Sequence, residues 1–113
     1  MVNRAALILY YKEPFMKWIA DADPSGESPP ISLGEVNRDK TVYLIDDSDA
    51  ENLEAWLKRN YADLFETELA SWYIDELLWP PKRDLKLFHK WFDAQCHSLL
   101  YDLGSGQIYD DYL

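Results

Sequence analysis

Cysteine, glycine and positive charge are all scarce in this chain, and each scarcity excludes something. One cysteine, Cys96, stands among 113 residues, so no disulfide can close within the chain, which fits a reducing cytoplasm. There are four glycines, and none falls in the spacing of a phosphate-binding loop. No Cys-x-x-Cys pair, Gly-x-Ser-x-Gly elbow or Walker sequence occurs, so nucleotide binding and the familiar hydrolase signatures lack support, and no cofactor is expected. Long apolar runs are missing as well. The longest, Ala5 to Tyr11, is far short of the ~20 residues of a membrane span. It is followed by charged Lys12 and Glu13 rather than by a small-residue cleavage site, so it does not read as a secretory leader. Eleven Lys and Arg face 21 Asp and Glu, for a formal charge of −10 and a pI near 4.4. Such a chain repels phosphate backbones and anionic lipid, so neither nucleic acid nor membrane is an expected partner. A basic protein surface or a divalent cation is electrostatically easier to justify.

What the chain does have is apolar and aromatic mass. Its hydrophobic fraction is 48%, with five Trp, eight Tyr and four Phe, which argues against disorder despite the charge. Residues 1–113 are expected to form a single globular domain. Ala5 to Tyr11 is a continuous apolar run rich in strand formers, which predicts a central strand covered on both faces. Pro14 suits a first helical turn, and Phe15, Trp18, Ile19 and Ala22 recur at helical spacing until Asp23-Pro24. Residues 23–40 are rich in turn formers and read as an irregular surface connection with one turn near Leu33 to Val36. Thr41 to Ile45 is the second strand.

Ser48 and Glu51 then form a capping-box arrangement ahead of Leu53, Trp56, Leu57, Tyr61, Leu64, Phe65, Leu69 and Trp72 at spacings of three and four. Residues 49–72 read as one long helix or as two, with a break near Asn60 favoured by ordinary helix length. Trp79-Pro80-Pro81 ends the region. Asp84 is the expected N-cap of a further helix carrying Leu85, Phe88, Trp91 and Phe92, followed by a third strand at His97 to Tyr101. Gly104-Ser105-Gly106 marks a turn before a short C-terminal edge strand at Gln107 to Tyr109. The order β-α-β-α-α-β predicts a small two-layer α+β domain, its first unit read as a right-handed crossover.

Val42 to Ile45, Leu53 to Leu57, Glu68 to Trp72, Asp75-Glu76, Leu78-Trp79-Pro80, Trp91-Phe92 and His97-Ser98 together resemble a family of small acidic bacterial proteins of unknown function. The resemblance covers about residues 40–103. It implies a bacterial, soluble, single-domain protein and carries no activity, cofactor or catalytic residue with it.

Divided by segment, the charge is uneven. Residues 1–40 and 81–113 each sum to −1, whereas residues 41–80 hold two basic against ten acidic side chains and sum to −8. Asp46, Asp47, Asp49, Glu51 and Glu54 surround a strand-to-helix junction, where helix N-termini by themselves favour acidic residues. Asp63, Glu66, Glu68, Asp75 and Glu76 have no such reason to gather. The leading expectation is therefore a non-enzymatic interaction module, in the manner of an inhibitor or immunity-type protein. Its acidic face, 41–80, would bind a basic partner, with Glu66, Glu68, Asp75, Glu76 and Trp79 as candidate contacts. For Trp79 by itself the favoured reading is a plug between helix and sheet, with an exposed aromatic anchor as the alternative. Lys82, Lys86 and Lys90 form a stripe that would meet the acidic segment of a second copy in a homodimer.

The alternative expectation is a small metal-dependent hydrolase using Asp46, Asp47 and His97. Asp46, Asp47 and Asp49 supply oxygens suited to a hard cation, without the glycine or spacing of an EF-hand loop. His89, Asp93 and His97 recur every four residues and would share one edge of a helix continued through position 97, with Cys96 nearby. If the third strand begins near His97, that edge is broken, and His89 and Cys96 then read as core residues.

Overall fold

A computed structural model describes residues 1–27 and 31–111. Its elements are β1 (Arg4–Tyr11), α1 (Glu13–Ala22), α2 (Leu33–Val36), β2 (Val42–Asp46), α3 (Asp47–Ala50), α4 (Leu53–Trp72), a 3-10 turn (Glu76–Leu78), α5 (Leu85–Trp91) and β3 (Phe92–His97). The three strands form one sheet in the order β2-β1-β3, with helices packed on one face, so the molecule is a small two-layer α+β domain with β1 at its centre.

Both strand pairs are antiparallel, with Ile8 opposite Val42 and Tyr11 opposite Phe92. The expected right-handed crossover is therefore not present. The side chain of Asn37 explains why: its Oδ1 accepts from the Tyr11 amide at 2.9 Å and its Nδ2 donates to the Tyr11 carbonyl at 3.2 Å. The irregular segment is thus pinned at the C-terminal end of β1, and β2 must start there and run back. The amide of Lys12 donates to the Trp91 carbonyl at 2.9 Å, which fixes the start of β3 at the same end.

On the helix side, Ala5, Leu7, Leu9 and Tyr11 of β1 meet Phe15 and Ile19 of α1, Leu57, Leu64, Phe65 and Leu69 of α4, and Phe88 and Trp91 of α5. Aromatic rings knit this layer edge to face. Phe15 lies 4.5 Å from Tyr11 and 4.7 Å from Phe92, and Phe65 lies 5.8 Å from Phe88; such pairs contribute about 0.5–1.5 kcal/mol each beyond area burial. The opposite face of the sheet is only partly covered, for Ile8 and Tyr10 are half-buried and Val42 and Leu44 are exposed. Burial of β1 is therefore complete on the helix side and partial on the other, where Ala6 is buried and Ile8 and Tyr10 are half-buried, rather than full on both faces.

Four further boundaries differ from the sequence expectation. The 49–72 region is interrupted at Glu51-Asn52, not near Asn60. Asn52 caps α4 by accepting from the Ala55 amide at 3.4 Å, while Asn60 stays helical with its Nδ2 donating to the Trp56 carbonyl at 2.8 Å. Ser48 lies inside α3 rather than capping a long helix. The third strand spans Phe92–His97, not 97–101, because α5 stops at Trp91 and the chain becomes extended at once. Residues 107–109 form no strand. The Asp84 cap does form, its carboxylate accepting from the Leu87 amide at 2.8 Å. No helix among the described residues is long and apolar enough to cross a membrane.

Candidate functional site

One turn of α4 carries an acidic side chain into the interior. Glu68 is only 3% exposed, the one buried charged residue among those described. It sits beside Leu64, Phe65 and Leu69 on the face that α4 packs against the sheet. Burying a carboxylate is costly unless its oxygens are bonded, and here both are. Tyr11 of β1 donates its hydroxyl to Oε1 at 2.7 Å, and Tyr43 of β2 donates its hydroxyl to Oε2. Trp72, one turn further along α4, donates its indole N–H to the Tyr11 hydroxyl at 3.1 Å. The donors run in one direction, from Trp72 to Tyr11 to Glu68, and Tyr43 completes the carboxylate. Burial, reinforced by the charge of Glu68 and the hydrogen bonds to it, pushes both tyrosine hydroxyls well above their ordinary value.

Above this network lies a depression of about 310 Å3 lined by Tyr11, Glu35, Val36, Asp39, Lys40, Thr41, Ser71 and Trp72. The Lys40 ammonium sits in it, 3.1 Å from the centroid of the Tyr11 ring. Burial lowers the affinity of this amine for its proton, and the charge of Glu68 opposes that effect. β1, β2, α4 and the connection after α2 each supply one part, so the site is assembled by the same antiparallel register that Asn37 enforces.

The other candidate residues are scattered. Glu66, Asp75 and Glu76 are exposed as expected. Glu66 stands 3.9 Å from Arg83, and Asp75 caps the 3-10 turn by accepting from the Leu77 amide at 3.0 Å. Two of the five contact candidates are not on the outside. Glu68 belongs to the buried network, and Trp79 is 9% exposed, its indole N–H donating to the Tyr73 carbonyl at 2.7 Å. Trp79 thus belongs to the buried core rather than to the surface.

Asp46 ends β2, 3.5 Å from Arg4, while Asp47 and Asp49 lie on α3. His97 pairs with Ala6 across the other edge of β1, so two strand spacings, about 10 Å, separate the Asp46 and His97 edges. His89 remains on α5, its Nε2 3.5 Å from Glu54 without hydrogen-bond geometry, whereas Asp93 and His97 stand on β3. The switch from helix to strand at Phe92 is what parts them. Among the described residues no group of three or more His, Cys, Asp or Glu side chains is placed to hold a metal ion. Burial raises the Cys96 thiol above its ordinary value, away from thiolate chemistry.

Inferring function from charge runs and spacings missed the Tyr11–Tyr43–Glu68–Lys40 cluster. The available signal was the position of Glu68, which continues the spacing Leu57, Tyr61, Leu64, Phe65 onto the apolar face of α4. No family model, curated protein or solved structure matches the chain.

Proposed function

We propose that this is a cytoplasmic, non-enzymatic interaction domain whose acidic face, supplied by residues 41–80, docks a basic protein partner. The observation that carries this reading is where the −8 of that segment lies. Eight of its ten carboxylates, Asp46, Asp47, Glu51, Glu54, Asp63, Glu66, Asp75 and Glu76, are exposed. Neutralisation within the chain is weak: Arg4–Asp46, Arg59–Asp49 and Arg83–Glu66 approach at 3.5, 3.8 and 3.9 Å, none of them a hydrogen bond. Asp47, Glu51, Asp63, Asp75 and Glu76 have no basic side chain within 4.0 Å among the described residues. Unneutralised exposed carboxylates attract and orient an oppositely charged surface, acting mainly through association rate and specificity. The tyrosine–carboxylate network supports a binding role more readily than catalysis, since its tyrosines hold their protons and its carboxylate is fully engaged. The resemblance to small acidic bacterial proteins adds no activity to this reading.

The test compares the wild-type chain with the fourfold variant Asp63→Asn, Glu66→Gln, Asp75→Asn, Glu76→Gln as immobilised bait at low salt. The expected result is capture of a basic protein that the variant loses. A control neutralising Glu13, Asp21, Glu27 and Asp93, exposed carboxylates outside residues 41–80, should retain it. An unchanged captured set on the fourfold variant would overturn the reading.

A further inference from the structure

The depression above Glu68 already contains a cation, and that cation has no directional tie to the protein. Lys40 is half-buried, yet its Nζ makes no hydrogen bond or ion pair among the described residues. What holds the ammonium is the face of Tyr11, 3.1 Å away, well inside the ~6 Å reach of a cation–π contact. That ring is primed for the role. Its hydroxyl donates to a buried carboxylate, which pushes electron density into the ring, and the Trp72 indole fixes the hydroxyl from the other side. Trp72 also lines the depression, and Glu35 and Asp39 contribute carboxylates at its exposed wall.

We propose that this depression is a receptacle for the ammonium or guanidinium head of a lysine or arginine side chain on the partner, with Lys40 as the internal stand-in that the incoming head displaces. The identity of the partner rests on the acidic-docking reading; the receptacle itself stands on the local geometry. Its volume, about 310 Å3, is at the lower end of the range for ligand sites and suits one side-chain head. Its floor is an aromatic face rather than a cage of oxygens, which selects an organic cation over a hard metal ion. Lys40 lies just before β2 on a flexible four-carbon stem, so it can withdraw without moving the strand. While it occupies the ring face it competes with any ligand and weakens apparent affinity in proportion to its occupancy.

The experiment is a titration of the 113-residue chain, followed at the Trp72 indole N–H by NMR. The probes are Nα-acetyl-lysine amide and Nα-acetyl-arginine amide, with the uncharged norleucine and citrulline counterparts as controls. The charged probes should shift the Trp72 resonance saturably and the uncharged ones should not. Lys40→Met should strengthen binding by roughly threefold or more, because the resident competitor is gone. The fourfold acidic-face variant should bind these probes as the wild type does, so failure of the docking reading leaves this outcome separate. Three results would overturn the proposal: no saturable shift in the wild type, equal shifts with uncharged probes, or unchanged affinity in a folded Lys40→Met chain.

Discussion

Glu68 shows how one residue can carry opposite meanings in sequence and in structure. Counted by charge it belongs to the acidic segment, but counted by helical phase it belongs with Leu64, Phe65 and Leu69. Charge alone was the weaker guide, because a buried carboxylate is tolerated where two hydroxyls converge on it, and strand partners cannot be read from one sequence. Replacing Glu68 by Gln keeps the volume but turns one acceptor into a donor, leaving one of the two tyrosine hydroxyls without its acceptor. The expected cost is about 1–3 kcal/mol, measured by urea unfolding. The tyrosines give a second prediction. In the unfolded chain they release their protons near pH 10, but in the folded chain only well above it. Stability contributed by the protonated hydroxyls is thus complete below about pH 10 and falls as pH rises beyond it. Tyr43→Phe should flatten that alkaline decline when unfolding free energy is measured across this range; an equally steep decline would remove Tyr43 from the account.

At the scale of elements, α1 and α4 were legible because their apolar positions recur at three and four, and Asp84 because a cap needs only local sequence. The α5-to-β3 switch was misplaced because Phe88, Trp91 and Phe92 fit a helical face as well as they fit the junction. The better signal followed immediately: Phe92, Ala94 and Cys96 alternate with Asp93, Gln95 and His97, the period of a half-buried strand. Strand direction was not legible at all, since it depends on Asn37 reaching the backbone of Tyr11 from 26 residues away. Asn37→Ala frees a part-buried amide and carbonyl at the end of β1. It should cost about 1–3 kcal/mol by denaturant unfolding. Hydrogen exchange should accelerate first in β2, because Asn37 leads into that strand, whereas the start of β3 keeps its own tie from the Lys12 amide to the Trp91 carbonyl. Uniform acceleration across the sheet would show that the anchor is not specific to β2.

The whole molecule is longer in one direction, 45 × 31 × 28 Å, with Leu99, Tyr101, Leu103, Ile108 and Tyr109 exposed along its C-terminal segment. Its fold class followed from the alternation of strand and helix patterns. Its electrostatics were half legible: the concentration of charge in 41–80 needed only counting, but the withdrawal of Glu68 to the interior and the incomplete pairing with Arg4, Arg59 and Arg83 needed the fold. The measurement that bears most directly on the acidic-docking claim is the salt dependence of equilibrium affinity for the basic protein captured by the wild-type chain. Affinity should fall steeply with salt for the wild type. The Asp63→Asn, Glu66→Gln, Asp75→Asn, Glu76→Gln variant should bind more weakly and with a shallower salt slope, as loss of charge complementarity requires. Equal affinity and an equal slope for the two chains would contradict the account.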